Sequence, residues 1–197
     1  MSIEQLNDQY WNDRWKNAET AWDIGYASPA IVAFIETLTS KNVRILIPGC
    51  GNAYEAEYLH SKGFTDVTVV DFAAEALAQF AKRVPNFPKE HLVQSDFFLI
   101  ENRNYDMVLE QTFFCALDPS LRTRYVSKMH EVLKENGVLC GLFFDDPIGG
   151  STPPFGATTE EYLSFFGDHF SIRILERCTN SIVPRAGREL WFEFVKA

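Results

Sequence analysis

Apolar and polar positions alternate between two rhythms along most of this chain. Short apolar runs rich in β-branched residues, Val43-Arg44-Ile45-Leu46-Ile47 and Val67-Thr68-Val69-Val70, read as buried strands. His91-Leu92-Val93, Tyr105-Asp106-Met107-Val108-Leu109 and Gly137 to Phe144 supply three more. Helical spacing fills the gaps. Ser28-Pro29 reads as an N-cap with proline at the first helical position, ahead of Ile31, Phe34, Ile35 and Leu38. Asp118-Pro119 repeats that signal before Leu121, Tyr125, Met129, Val132 and Leu133, and Asn136-Gly137 marks the end of that helix. Thr158 and Glu161 fit a capping box ahead of Tyr162, Leu163, Phe165 and Phe166.

Toward the C-terminus the rhythm changes. Ser171 to Arg177 and Leu190 to Lys196 both alternate as strands, and Asn180 to Arg188 joins them with no helical pattern between. A parallel crossover needs a dozen residues or more, so this pair reads as an antiparallel hairpin. Five βα units followed by a hairpin predict an α/β fold. The expected architecture is a doubly wound, Rossmann-like, mostly parallel seven-stranded sheet with helices on both faces and an antiparallel C-terminal edge. With 197 residues and no linker-like break, the whole chain 1–197 is expected to be one domain.

Composition narrows the class. Apolar residues at 46% and charged residues at 23% are those of a globular protein. No apolar run approaches the roughly 18 residues of a membrane span, and residues 1–16 are polar, so a cytoplasmic protein without membrane contact is expected. A net charge of -9 repels phosphodiester backbones and argues against a nucleic-acid partner. Cys50, Cys115, Cys140 and Cys178 are scattered and read as reduced core thiols. The histidines are equally scattered, so no metal site is expected. Aromatic content stands out: 17 Phe, 7 Tyr and 4 Trp, with Trp11, Trp15 and Trp22 all ahead of the first strand.

In a doubly wound sheet, ligands sit at the carboxyl ends of the strands. After the first strand comes Pro48-Gly49-Cys50-Gly51-Asn52-Ala53-Tyr54, whose two glycines permit a tight turn and close backbone approach. Asp71 closes the second strand, twenty residues after Gly51, where a ribose diol would donate two hydrogen bonds to it. Tyr54 stands where a dinucleotide fingerprint has its third glycine, which argues against a pyrophosphate cradle. Gln94-Ser95-Asp96-Phe97-Phe98 follows the third strand. There Asp96 and an aromatic neighbour suit an adenine, although a turn-forming role fits Asp96 equally. Two carboxylates at successive strand ends without a phosphate cradle point to a nucleoside joined to an amino acid, as in S-adenosylmethionine.

The ordered set Trp11, Trp15, Trp22-Asp23, Gly25, Pro48-Gly49-Cys50-Gly51, Phe113-Phe114-Cys115-Ala116-Leu117, Gly149-Gly150, Pro153-Pro154-Phe155 and Arg185-Ala186-Gly187-Arg188-Glu189 resembles the thiopurine methyltransferase family of class I S-adenosylmethionine-dependent methyltransferases, in particular its halide/thiol branch. The resemblance implies a methyl donor, S-adenosylmethionine, with S-adenosylhomocysteine as product. It implies cofactor contacts at Gly49, Gly51, Asp71, Asp96, Phe97 and the position of Gln111, where the branch usually carries an aromatic. It also implies that Trp11, Trp15 and Trp22 cover the cofactor, so that residues 1–27 act as a lid; packing of Trp11 and Trp15 on the sheet is the alternative. On the acceptor side stand Phe155, where relatives often have tyrosine, and Arg185, which would offset an anion or else join a surface charge pair.

The activity so implied is methyl transfer to a small soft nucleophile: a thiol, thiocyanate, hydrosulfide or halide. A thiolate, thiocyanate or halide needs no deprotonation at the site, so no catalytic base is named. Glu110 and Asp145, at strand ends, would serve for a neutral thiol, and otherwise read as surface or capping carboxylates. The alternatives are a larger aromatic or heterocyclic thiol as acceptor, and a non-catalytic module that binds the cofactor. A nicotinamide-dependent dehydrogenase shares the strand-turn-helix start but needs a further catalytic domain. A monomer acting on a small molecule is the expected state.

Overall fold

The computed structural model of the chain describes residues 6–145 and 152–197. Seven strands form one sheet in the order β3-β2-β1-β4-β5-β7-β6. They are β1 (Ile45–Pro48), β2 (Val67–Asp71), β3 (Leu92–Gln94), β4 (Tyr105–Gln111), β5 (Leu133–Phe144), β6 (Phe170–Arg177) and β7 (Glu189–Lys196). The first five run parallel, with β1 paired to both β2 and β4. β7 is antiparallel to β5 and to β6. The final hairpin thus folds back so that its second strand fills the space between β5 and β6. Sequence and structure agree on the mostly parallel sheet and its antiparallel C-terminal pair.

Alternation along the central strands divides the core in two. Leu46, Val70, Val108 and Leu139 face Tyr125 and Met129 of α5 (Arg122–Val132) and Tyr162 and Phe166 of α6 (Thr159–Phe166). Ile45, Ile47, Val67, Val69, Met107, Leu109 and Cys140 face the other way. They meet Ile31 and Ile35 of α2 (Pro29–Thr37), Leu59 of α3 (Tyr54–Ser61) and Phe80 of α4 (Ala74–Arg83). A strand reverses its side chains at every residue, so continuous apolar runs are needed when helices cover both faces. The face toward α5 and α6 carries much of the phenylalanine. Phe143 lies parallel to Tyr162 on one side and to Phe192 on the other, with ring centroids 4.4 and 3.8 Å away.

Three local expectations are corrected. The connection from β3 to β4 carries only a short 3-10 turn, Phe97–Leu99, in place of a full helix, and Leu99 is left 71% exposed. The helix starting beyond Asp118-Pro119 stops at Val132, ahead of Asn136-Gly137. Leu133 is fully buried and already pairs with Tyr105 in the sheet, and the ladder then resumes at Met107 with Val138. Asn136, at φ 61°, absorbs the resulting bulge. Finally, Ser28 precedes α2 but makes no side-chain cap; its N–H donates to the Glu55 carboxylate at 2.9 Å. Gly149 and Gly150 lie outside the described residues.

The capping box forms as its spacing predicts. Thr158 Oγ1 accepts from the Glu161 N–H at 3.2 Å, and the Glu161 carboxylate accepts from the Thr158 N–H at 2.7 Å. Thr158→Ala should therefore cost about 1 kcal/mol of stability, measured as a lower urea midpoint with an unchanged denaturant slope.

Candidate active site

The carboxyl ends of β1, β2 and β4 open into a cavity of about 1040 Å³. Its floor is the turn after β1, where Gly49 and Gly51 have φ of 56° and 50°. Packing as well as backbone conformation requires glycine at both. A β-carbon on Gly49 would run into the Phe113 ring, and one on Gly51 would lie 2.9 Å from the Trp15 indole. Asp71 fixes the turn from β2. Its Oδ2 accepts from the Gly51 N–H at 2.9 Å, and its Oδ1 accepts from the Ala73 N–H at 2.8 Å. Burial raises the pKa of Asp71 above the ordinary aspartate value, and these backbone donors oppose the rise.

Asp96 caps the 3-10 turn after β3, accepting from the Phe98 N–H at 2.9 Å. Phe97 is buried beside it, edge-on to Phe113 at 5.3 Å. Gln111 ends β4 at the cavity wall, and its Oε1 is buried with no hydrogen-bond partner. Asn52 Oδ1, also on the wall, is a second such acceptor.

The N-terminal tryptophans roof this floor. Trp15 of α1 (Asp8–Lys16) is buried against Ala73 and Ala76 at the start of α4. Trp22 meets Trp11 and Trp15 edge to face at 5.4 and 5.9 Å. The segment is anchored beyond the cluster. Arg185 Nη2 donates to the Trp22 carbonyl at 2.7 Å, while Arg185 Nη1 lies 3.5 Å from the buried Glu189 carboxylate. Arg185 is therefore a buried, partnered residue at the cavity rim.

The structure brings Trp11, Trp15, Trp22, Gly49, Gly51, Asp71, Asp96, Phe97, Gln111 and Arg185 to one cavity. Phe155 is buried and is not among the described residues lining it; Pro153 and Pro154 are. Its N–H donates to the Cys115 carbonyl and its own carbonyl accepts from Arg122, so it braces the wall from behind. Asp145 pairs with Arg177 and accepts from Thr159. Glu110 is the larger departure from expectation. It is no surface group but fully buried, and it accepts from the N–H groups of Phe113 and Phe114 and from the Tyr125 hydroxyl. A carboxylate following Met107-Val108-Leu109 in a central strand is the signal that marks it.

This arrangement fits the nucleoside–amino acid cofactor expected from the sequence. A carboxylate ends β2, a carboxylate and an aromatic follow β3, and two buried amide oxygens lack donors. Asp71, Asp96 and Gln111 are polar side chains of the lining that could hold it.

Comparison with known proteins agrees. The family model described as thiopurine S-methyltransferase matches residues 6–193. The probable thiol methyltransferase 2 of Arabidopsis thaliana is 32% identical over 158 residues, covering 77% of this chain and 69% of its own length. Thiocyanate methyltransferase 1 of the same plant is 31% identical over 188 residues, covering 91% and 81%. Among solved structures, the 1,6-didemethyltoxoflavin-N1-methyltransferase of Burkholderia thailandensis, with bound S-adenosylhomocysteine, superposes with a TM-score of 0.80 at 15% identity, over 100% of this chain and 91% of that one. The magnesium protoporphyrin IX methyltransferase of Synechocystis, with the methyl donor bound, gives 0.75 at 13% identity over 100% and 98%. Likeness at that identity speaks for the fold alone. The sequence relationship goes further, and with it the chain belongs to the thiopurine S-methyltransferase family and is an S-adenosylmethionine-dependent methyltransferase.

Proposed function

We propose that this enzyme methylates a small soft nucleophile, such as a thiol, thiocyanate, hydrosulfide or halide. One observation carries the reading. The carboxylates that line the cavity are already engaged within the protein: Asp8 accepts from the Gln9 N–H, Asp23 from Gly25, Glu55 from Ser28, Asp71 from Gly51 and Ala73, Asp96 from Phe98 and Asp118 from Ser120, while Glu19 pairs with Arg14. Burial raises the pKa of the Cys50 and Cys115 thiols, which keeps them protonated. A site whose acids are committed to structure suits an acceptor that arrives with its lone pair ready. Relatives named for thiol and thiocyanate methylation support the same class.

When bound, S-adenosylmethionine supplies an electrophilic methyl group on a sulfonium. In this reading Asp71 takes the ribose hydroxyls, Asp96 and Phe97 flank the adenine, and Gly49 and Gly51 allow the backbone to approach. Gln111 offers its free amide oxygen to a donor on the ligand. Trp11, Trp15 and Trp22 close over the site as a lid and exclude water, which otherwise solvates a soft anion and blunts its attack. Indole faces also stabilise a nearby cation by about 0.5–2 kcal/mol. Phe113, Ala116, Leu117 and Pro154 form an apolar wall on which the acceptor is held in line. Such alignment alone can remove about 7–11 kcal/mol of the barrier. Arg185 sets the lid through the Trp22 carbonyl and brings positive charge to the rim of an acidic protein.

The volume of the cavity supports a second reading. At about 1040 Å³ it stands at the upper end of the usual range for small-molecule sites, with room for a larger aromatic thiol beside the cofactor. For the surroundings, we place the protein in the cytoplasm as a monomer of one domain. Four cysteines free of disulfides support a reducing compartment, and among the described residues no helix is long and apolar enough to cross a membrane.

Two measurements test this. S-adenosylhomocysteine release, followed with iodide, thiocyanate, hydrosulfide and an aromatic thiol, should proceed with the three small anions. Turnover confined to the aromatic thiol would establish the second reading, and silence across the panel would refute both. Asp71→Ala should weaken S-adenosylhomocysteine binding by about 1–3 kcal/mol in calorimetry, the loss expected for hydrogen bonds to a charged group. Unchanged affinity in a folded variant would remove Asp71 from the ribose.

A further inference from the structure

Glu110 has no part in the scheme above, yet it sits directly behind the acceptor wall. It is 0% exposed at the end of β4. Oε1 accepts from the Phe113 N–H at 2.7 Å and the Phe114 N–H at 3.1 Å, and Oε2 accepts from the Tyr125 hydroxyl at 2.6 Å. Those bonds tie the strand, the 3-10 turn Phe114–Ala116 and helix α5 to one carboxylate. Phe113, Cys115, Ala116 and Leu117, on or beside that turn, all line the cavity, and Phe113 is the ring that presses on Gly49.

The chain enters this turn under strain. Thr112 has φ 59°, a region that a β-branched residue adopts only when its surroundings over-determine it. Bonds from Glu110 to the next two backbone N–H groups supply that determination. The Cys115 carbonyl in turn holds the Phe155 N–H at 2.6 Å, so the Pro153-Pro154 side of the wall hangs on the same turn.

We infer that Glu110 is a positioning residue for methyl transfer: its ionised carboxylate organises the Phe113–Leu117 wall against which the acceptor is aligned. This rests on the acceptor-wall reading given above. Protonation would replace charge-assisted bonds with neutral ones, roughly half as strong, and would add a donor where three donors already converge. The wall then loosens, and the acceptor site is degraded before the carboxylates Asp71 and Asp96 at the ends of β2 and β3; Gln111, next to Glu110 on β4, is the one cofactor contact that shares the wall.

The groups around Glu110 make that protonation accessible. Tyr125 of α5, Tyr162 of α6 and Cys115 of the turn are themselves held neutral by burial. The Arg122 guanidinium lies over the Phe114 ring at 5.1 Å and donates to the Phe155 and Gly156 carbonyls. Burial without a paired cation lifts Glu110 to about 7, against the pull of its three donors.

The test uses iodide and thiocyanate, which carry no proton in this range, so that any acid limb belongs to the protein. Turnover with wild-type enzyme should fall below a midpoint near 7, through KM for the anion more than through kcat. Glu110→Gln should raise that KM roughly tenfold, equivalent to about 1.4 kcal/mol, lose the acid limb, and bind S-adenosylhomocysteine within about twofold of wild type. Tyr125→Phe removes a donor that favours the ionised form, so its limb should move to higher pH. In the complex with S-adenosylhomocysteine, the amide resonances of Phe113 and Phe114 should titrate together with the same midpoint, whether or not an acceptor turns over.

A Glu110→Gln enzyme with wild-type KM and an intact acid limb overturns the inference. So do Phe113 and Phe114 amides that stay silent between pH 5.5 and 8.5. Titrating amides without turnover of either anion would count against the proposed acceptors and still support the wall organised by Glu110.

Discussion

The site depends on the close packing of the Gly49–Gly51 turn against two aromatic side chains. Phe113 presses on Gly49 and Trp15 on Gly51, so neither position has room for a β-carbon. The backbone is held there by Asp71, which takes the Gly51 N–H and thereby locks the end of β1 to the end of β2. Three segments distant in sequence are registered by that one crossing: the tryptophan arm, the first two strands and the turn after β4. Fixing the crossing fixes the spacing between the tryptophan arm, the glycine turn and the Phe113 wall, and in the proposed reading that spacing is what aligned displacement requires.

Four acidic side chains at or near the cavity serve as internal fasteners. Asp71, Glu55, Asp96 and Glu110 each accept backbone N–H groups at strand or helix ends, where a sheet leaves donors unpaired. A buried carboxylate with two or three donors is adequately solvated by the protein itself, and burial still pushes Asp71, Glu55 and Glu110 upward in pKa. Their common direction shows desolvation prevailing over hydrogen bonding at all three. The consequence is a site rich in carboxylates yet poor in available base, which narrows the chemistry more than the net charge of -9 does.

Period and turn chemistry made much of this architecture readable before any coordinates. Both sheet faces, the Thr158–Glu161 box and the final hairpin follow from residues close together in sequence, so local rules reach them. What escaped was set by distant partners. The end of α5 is decided by Leu133 pairing with Tyr105, which overrides the Asn136-Gly137 stop signal. Glu110 looks like a strand-end charge until helix α5 brings Tyr125 over it. Arg185 reads as half of a surface charge pair or as a partner for an anion, and only the fold reveals its buried pairing with Glu189 and its bond to the Trp22 carbonyl, 163 residues away in sequence. The site residues at strand ends were legible because strand ends are local; the roles of Phe155 and Arg185 depend on what packs behind them.

Departures from the halide/thiol pattern fall at two positions that differ in kind. Phe155 lacks the hydroxyl its relatives often carry, but it stands behind the wall and meets its neighbours through backbone atoms, so the missing hydroxyl removes nothing from the described lining of the cavity. Gln111 is different. It replaces an aromatic on the cavity wall itself, and its buried amide oxygen has no donor within the protein. A buried acceptor without a partner costs roughly 1–3 kcal/mol, which a ligand donor recovers on binding. The substitution therefore trades a non-polar surface for a directional one on the cavity wall. A halide has no hydrogen to offer that oxygen, whereas a hydrosulfide or a thiol carrying a polar substituent does. In the proposed reading a ligand that brings a donor to Gln111 recovers that cost, and the Glu110 wall beside it aligns the acceptor.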